Sequence, residues 1–283
     1  MQYPGIAASI DADIDNVATL LRLSGLLPEG LDVAPLLAEA KRQLREEADY
    51  LREAGQMRRY GALLEGDGRF AVPRPVDALL RPTVLPMTFQ AGVPIEDLAS
   101  APEERRNAAL GALVELVLRE LFDFGLMQTD PNFANYRWQP DSGRIVLLDF
   151  GATRAITPAT AASYRSLRQA GLSGDAGQVR EALVAAGFVS PAQDLRHRTA
   201  IEAMIGLMLA QLHASRDAGF DFADRSVVAA LRERAAPLLA DRASWHLPPT
   251  ETLFVQRKIS GTVLLCVRLG ARLPILDLLD RDR

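Results

Sequence analysis

Two short polar motifs on either side of a predicted β-hairpin constrain the fold of this chain more than any other feature. Residues 136–138 and 144–148 have the composition of β-strands, and residues 140–143 between them, Pro-Asp-Ser-Gly, have turn chemistry. Asp130 and Asn135 precede this hairpin, and Asp149-Phe150-Gly151 follows it. Because a hairpin returns the chain to the edge where it began, we expect both motifs to lie at the same end of a small sheet.

The polar residues of the two motifs are oxygen donors of the kind that phosphoryl transfer uses. Mg²⁺ binds carboxylate and carboxamide oxygens while it bridges phosphate oxygens, so Asn135 and Asp149 are the predicted metal ligands. Asp130 would accept a proton from an attacking hydroxyl or orient a water molecule. Taken singly, Asp-Pro-Asn is a turn former and Asp-Phe-Gly can occur by chance. In this order, around a hairpin, the motifs favour a site for metal and phosphate.

Helical patterns dominate the remaining sequence. Apolar residues recur at helical spacing over residues 6–27, 32–64 and 103–124, and Asp32 is a candidate cap for the second of these helices. Residues 70–73 and 83–89 are rich in β-formers or proline and predict strands at the edge of a small sheet. After the Asp-Phe-Gly motif we expect helices alone, with breaks near Gly171, residues 187–191 and residues 248–249.

Composition and charge exclude several classes of protein. The chain has 283 residues, of which 48% are hydrophobic and 24% are charged, and this is typical of a folded protein with a sizeable core. A formal net charge of -4 gives no long-range attraction for nucleic acid. Cys266 is the single cysteine, which excludes an intrachain disulfide and a cysteine metal cage, and we expect it to be a small buried apolar residue.

Neither a targeting signal nor a membrane-spanning segment is predicted. The first residues lack the basic and apolar regions of a signal peptide, and the longest candidate for a span, residues 262–267, is far shorter than the roughly 18 apolar residues that a span needs. Lysine is rare while arginine and alanine are abundant, as in proteins from GC-rich bacterial genomes.

Several motifs together resemble the UbiB-like atypical kinases, also called aarF-domain-containing kinases, which support ubiquinone and other isoprenoid-lipid metabolism. The resemblance runs nearly end to end. It is carried by residues 3–5 (Tyr-Pro-Gly), 9–11, 47–50 (Glu-Ala-Asp-Tyr), 122–124, 127–132, 147–154 and 257–258, followed by Gly261. It implies an α+β, protein-kinase-like fold with an incomplete small N-lobe over residues 1–92 and a mostly helical C-lobe over residues 93–283.

The resemblance also implies ligands and roles for individual residues. ATP and Mg²⁺ are the implied cofactors, with Asp130 as the catalytic-loop aspartate and with Asn135 and Asp149 as metal ligands. Glu47 and Asp49 would form the family's Glu-x-Asp motif, and Glu47 is the one that we expect to face the nucleotide. Residues 86–92 would be the hinge beside the adenine, which backbone groups of Thr88, Phe89 and Gln90 would contact. The implied location is the cytoplasm or the inner-membrane surface, with an isoprenoid lipid, a quinone precursor or biosynthetic enzymes as partners.

The strand lysine of a kinase fold has no counterpart in this sequence. Lys41 lies within the predicted helix of the Glu-x-Asp motif and Lys258 lies far downstream, so neither fits the role. In the family this lysine precedes the segment that matches residues 1–5, together with a Lys-x-Gly-Gln segment and an alanine-rich phosphate loop. We therefore expect either a start assigned at an internal methionine, which we favour, or a natural truncation, and in both cases weak nucleotide binding and little turnover by this polypeptide.

Three functions compete at this point. The first is an ATPase or atypical kinase that assists isoprenoid-quinone synthesis, and the second is a non-catalytic pseudokinase scaffold that binds lipid or partner enzymes. The third, conventional protein phosphorylation, is disfavoured because no Ala-Pro-Glu follows residues 152–154 and the usual activation segment is missing.

Overall fold

The structure is a computed structural model that describes residues 14–20, 34–241 and 248–281, with two compact units. The first unit combines the chain up to residue 97 with residues 128–154. The second combines residues 98–127 with residues 155–283. Both hairpin motifs therefore belong to the first unit, and the predicted lobe boundary after residue 92 stays a prediction.

Three helices open the first unit. Helix α1 covers residues 14–20, α2 is Ala34–Glu47 and α3 is Tyr50–Leu63. The prediction of one helix over residues 32–64 is wrong, because the chain leaves helical geometry at Asp49 and Asp49 caps α3 by accepting a hydrogen bond from the Arg52 N–H at 3.0 Å. The proposed cap Asp32 and most of the predicted 6–27 helix lie outside the described residues.

A four-stranded sheet forms the rest of the first unit. Its strands are β1 (Phe70–Ala71), β2 (Val93–Pro94), β4 (Tyr136–Trp138) and β5 (Ile145–Leu147), in the spatial order β1-β5-β4-β2. β1 runs parallel to β5, whereas β4 is antiparallel to both of its neighbours. The hairpin prediction is confirmed, since Tyr136 pairs with Leu147 and Trp138 with Ile145, and Gly143 supplies the left-handed turn residue at φ 73°.

The predicted strand over residues 83–89 is wrong. This segment makes isolated bridges, from Met87 to Pro75 and from Val84 to Arg81. Pro82 and Pro86 lack the N–H groups that a ladder needs, so the segment forms a loop beside the sheet.

The second unit is mostly helical. The α-helices among its described residues are α4 (Glu103–Arg119), α5 (Pro158–Ser173), α6 (Ala176–Ala185), α7 (Pro191–Ala214), α8 (Ser226–Ala240), α9 (Thr250–Arg268) and α10 (Ile275–Asp280). The expectation of helices alone after residue 151 is wrong at two places: β6 (Thr153–Ala155) follows the Asp-Phe-Gly motif, and β7 (Phe220–Asp221) pairs with β8 (Arg272–Leu273). α5 also continues through Gly171 to Ser173, and Gly174 caps its end.

An apolar cluster forms part of the core of the second unit. It joins α4 and its extension to α5 and α9 and has partly buried Phe122, Phe188 and Ile259 at its margin; its buried members are Val117, Leu121, Met127, Ile156, Ala161, Tyr164 and Val255. Cys266 is buried as predicted, and burial raises the pKa of its thiol to about 12. Within the described part of the chain, none of the helices has both the length and the apolar character needed to cross a bilayer.

Candidate nucleotide and metal site

The loop that carries Asp130 is fixed by backbone contacts on both sides. It follows strand β3 (Leu126–Gln128), and the buried residue Thr129 donates two hydrogen bonds to the Ala152 carbonyl, from its N–H at 3.2 Å and from its hydroxyl at 2.7 Å. The Gln128 amide donates to the Asp130 carbonyl at 3.1 Å. The hydrogen bonds of Thr129 join the segment before the hairpin to the segment after it, next to Asp130.

Asp130 and Asn135 are in direct contact. Asn135 ends a short 3₁₀ turn, Phe133–Asn135, which Asn132 caps by accepting a hydrogen bond from the Ala134 N–H. The Asn135 amide Nδ2 donates to Asp130 Oδ2 at 2.7 Å. Because the amide nitrogen points at Asp130, the carbonyl oxygen Oδ1 is the atom of Asn135 that remains for a cation.

Asp149 stands beside this pair at the end of β5. The preceding Leu148 N–H donates to the Asn135 carbonyl at 3.0 Å, so the hairpin brings the two predicted metal ligands together as expected. The pKa of Asp149 is raised, chiefly by burial and further by the Asp130 charge, although the hydrogen bond from the Gly151 N–H to Oδ1 at 2.9 Å lowers it. A divalent cation would offset both effects that raise this pKa.

This donor set fits a Mg²⁺ ion that also binds phosphate. It offers two carboxylates and one carboxamide, all oxygen ligands, and Mg²⁺ is commonly bound through one or two carboxylates plus substrate phosphates. In the described part of the chain, no three His, Cys, Asp or Glu side chains are grouped as a metal cage. With these few oxygen donors, a bound Mg²⁺ would share its coordination shell between the protein and phosphate oxygens.

Helix α3 holds the Asp-Phe-Gly backbone through two residues that the sequence analysis missed. The buried carboxylate of Glu53 accepts a hydrogen bond from the Phe150 N–H at 3.3 Å. Arg52 donates to the Gly151 carbonyl at 2.6 Å and also to the Thr153 carbonyl. We call these contacts the α3 latch, because they fix the peptide groups immediately after Asp149.

Ion pairs made by Glu46 lie next to the α3 latch. Glu46 on α2 forms ion pairs with Arg52 at 3.6 Å and with Arg154 at 3.3 Å, and Arg154 is buried. The sequence holds one signal that could have identified Glu53 as a functional residue. It shares the apolar face of α3 with Met57 and Tyr60, and a carboxylate on a buried face requires a partner.

The Glu-x-Asp motif is described in part. Glu47 is the last residue of α2, and its side chain lies outside the described residues, so its role towards the nucleotide stays a prediction. Asp49 caps α3, and this structural role is sufficient to explain it. The Glu-x-Asp segment thus ends one helix and begins the helix that holds the Asp-Phe-Gly backbone.

The predicted hinge is anchored at both of its ends. Thr88 forms two hydrogen bonds of 2.9 Å with the Arg74 backbone, from its N–H to the carbonyl and from the Arg74 N–H to its hydroxyl. The Arg137 and Gln139 side chains donate to the carbonyls of residues 92 and 91, both at 2.9 Å. Thr88 therefore has no N–H left for adenine, whereas Phe89, with a side chain 90% exposed, and Gln90 remain candidates.

Both lysines are engaged elsewhere. Lys41 pairs with Asp15 at 2.6 Å, and Lys258 belongs to the second unit, where it pairs with Glu120 at 3.5 Å. That neither lysine acts as the strand lysine of a kinase stays a prediction.

Comparison with known proteins identifies the family. A family model described as the ABC1 atypical kinase-like domain matches residues 1–183. The chain belongs to the ABC1 atypical kinase-like family. The resemblance to UbiB-like kinases is thereby confirmed.

The chain is similar to long curated relatives over nearly its whole length. It is 35% identical over 276 residues to the mitochondrial atypical kinase COQ8B of Danio rerio, with 96% of this chain and 43% of the relative covered. It is 34% identical over 271 residues to the mitochondrial atypical kinase COQ8 of Saccharomyces cerevisiae, with 96% of this chain and 54% of the relative covered. The chain thus spans about half the length of these relatives.

A solved structure supports the fold. The Rv3197 protein of Mycobacterium tuberculosis, determined as a complex with erythromycin, superposes with a TM-score of 0.70 at 21% identity and covers 99% of this chain and 69% of that one. The predicted kinase-like α+β fold is confirmed by this likeness together with the family match.

Proposed function

We propose that this chain forms the metal and phosphate site of an atypical kinase or ATPase that binds Mg·ATP. The observation that carries the proposal is the convergence of Asp130, Asn135 and Asp149, with a 2.7 Å hydrogen bond between the first two and a raised pKa at the third. A carboxylate whose ionisation is disfavoured by burial and by a neighbouring carboxylate is a site where a cation binds favourably.

Each of the three residues has a distinct role in this proposal. Asp149 and the Oδ1 atom of Asn135 would hold Mg²⁺, which would supply positive charge to neutralise phosphate oxygens. Asp130 accepts the proton of an attacking hydroxyl or orients a water molecule, and the Asn135 amide fixes the rotamer of its carboxylate. The α3 latch keeps the peptide groups after Asp149 in place while metal and nucleotide bind and leave.

The proposed substrate is a small or lipid-like molecule, or water, rather than a protein. Six residues, 152–157, separate the Asp149-Phe150-Gly151 motif from the start of α5 at Pro158, and half of them form strand β6. This short connection supplies no long activation segment as a platform for a protein substrate. The similarity to COQ8 kinases supports a role in ubiquinone, or more generally isoprenoid-lipid, biosynthesis. The location that we propose for this role is the cytoplasm or the inner-membrane surface.

ATP hydrolysis by the full chain tests this proposal. Release of inorganic phosphate in the presence of Mg²⁺ is expected to be slow in the wild type, because the strand lysine has no counterpart, and to fall to background in Asp149→Asn, because a metal-holding charge is lost. Asp141→Asn is the matched control, since Asp141 is exposed in the turn of the same hairpin. Equal phosphate release by the wild type and Asp149→Asn would remove the basis for catalysis at this site.

A non-catalytic scaffold is the second candidate function. The observation that favours it is that each lysine of the sequence is paired with a carboxylate, Lys41 with Asp15 and Lys258 with Glu120. A scaffold would bind lipid or partner enzymes without turnover, so nucleotide binding with no phosphate release above the Asp149→Asn background would support it.

A further inference from the structure

The second unit contains a buried ion pair that belongs to no part of the proposed site. Glu120 has no exposed surface and Lys258 is 2% exposed, and the Lys258 Nζ lies 3.5 Å from Glu120 Oε2. The two residues come from the end of α4 and from the middle of α9, which are far apart in the sequence. Their sequence neighbours Leu121 and Ile259 pack in or against the apolar cluster, and Glu120 and Lys258 are themselves buried.

Stability alone does not explain such a pair. Removal of two charges from water is unfavourable, and replacement of a buried ion pair by apolar side chains of similar size is often neutral or stabilising. A buried pair is therefore better explained when it fixes one geometry among alternatives.

Glu120 occupies an unusual position in the backbone. It begins a five-residue π turn, Glu120–Phe124, which Gly125 closes in the left-handed conformation at φ 56° by donating its N–H to the Glu120 carbonyl. π turns within helices are rare and occur often at functional sites, because one extra residue redirects the chain. Here the chain is redirected into strand β3 and then into Asp130, ten residues after Glu120.

Contacts along the same segment maintain this direction. The Gly125 carbonyl accepts a hydrogen bond from the Ile156 N–H at 2.9 Å, and the buried Met127 packs in the apolar cluster. A change in the π turn would therefore be transmitted along the backbone to the loop that carries Asp130.

We infer that Glu120 and Lys258 are positioning residues, whose ion pair fixes the π turn and thereby sets the geometry of the Asp130 loop. This inference rests on the proposed function, because the loop matters only if the site binds metal and nucleotide. It assigns a role to α9, which lies beyond the residues 1–183 that match the family model. Neither residue touches substrate in this account.

The test compares stability with metal affinity in the full chain. Mn²⁺ is the probe, with free Mn²⁺ measured by electron paramagnetic resonance at a fixed ATP concentration and compared with a protein-free sample, because ATP itself binds Mn²⁺. The double variant Glu120→Leu with Lys258→Met keeps the volume but removes both charges, and we expect its Tm to be unchanged or higher while its Mn²⁺ affinity falls about tenfold, the usual effect of disturbing groups behind a metal site. Glu115→Gln is the control, because Glu115 lies on α4, the helix that leads into Glu120, and forms an ion pair with the exposed Arg281.

The outcomes separate this inference from the proposed function. Equal Mn²⁺ affinity in the wild type and a folded double variant overturns the inference and leaves the site intact. Absence of Mn²⁺ binding by the wild type overturns the proposed function, and the inference with it. Should the double variant fail to fold, Glu120→Gln keeps the shape of the side chain: about tenfold weaker affinity at an unchanged fold supports the inference, and wild-type affinity contradicts it.

Discussion

Glu53→Ala tests the α3 latch most sharply. The substitution removes the acceptor of the Phe150 N–H, a buried group with a hydrogen bond of 3.3 Å, and leaves that donor without this partner. A buried unsatisfied donor costs about 1–3 kcal/mol, and for domains of 150–250 residues each kcal/mol shifts Tm by roughly 2–4 °C. Because this hydrogen bond is long, we expect a loss in the lower half of that range, about 1–2 kcal/mol, or a fall in Tm of about 2–8 °C.

Two further variants make this result specific. Glu53→Gln keeps an acceptor oxygen at the same place and is expected to recover most of the stability. Glu65→Ala changes an exposed glutamate just beyond the end of α3 and is expected to alter the free energy of unfolding by no more than about 0.5 kcal/mol. Scanning calorimetry measures all three. A wild-type Tm for Glu53→Ala, or an equal loss in Glu53→Gln and Glu53→Ala, would refute the role of this hydrogen bond.

Two other predictions follow from the shifted pKa values. The pKa of Asp149 is raised by burial and by Asp130, so its ionised form destabilises the metal-free fold as the pH rises from the ordinary value of 3.8 through the raised one. Asp149→Asn is therefore expected to raise Tm without metal at pH 7.5 by about 1–4 °C, with a gain that shrinks towards pH 4; a gain independent of pH would contradict this cause. Burial raises the pKa of Cys266 to about 12, so we expect no labelling by a charged maleimide at pH 8 until the chain unfolds, and rapid labelling of the native protein would show that the thiol is accessible.

The part of the site that the sequence predicts is the part encoded locally. A turn sequence between two strand-forming segments is sufficient to bring Asn135 next to Asp149, because the register of one hairpin fixes the separation. The break between α2 and α3 could also have been predicted from the sequence. Asp49 is a strong capping residue, but the apolar periodicity continues across it and concealed the boundary.

The contacts that hold the site could not be predicted, because they join distant segments. Glu53 and Phe150 are 97 positions apart, and Glu120 and Lys258 are 138 positions apart. Periodicity places Glu53 on a buried face, but it does not identify the backbone amide that satisfies its carboxylate. Prolines likewise favour an extended chain over residues 83–89 without deciding between an edge strand and a loop, and that choice depends on the neighbouring backbone.

The most direct measurement of the central claim is the position of a bound cation. Crystals of the full chain grown with Mn²⁺ and a non-hydrolysable ATP analogue would show the ion by its anomalous scattering. We expect one peak, about 2.1 Å from an Asp149 carboxylate oxygen and from the Asn135 Oδ1 atom, with Asp130 directed at the terminal phosphate. A peak bound by other residues, or nucleotide density with no ion between the phosphates and Asp149, would contradict the account.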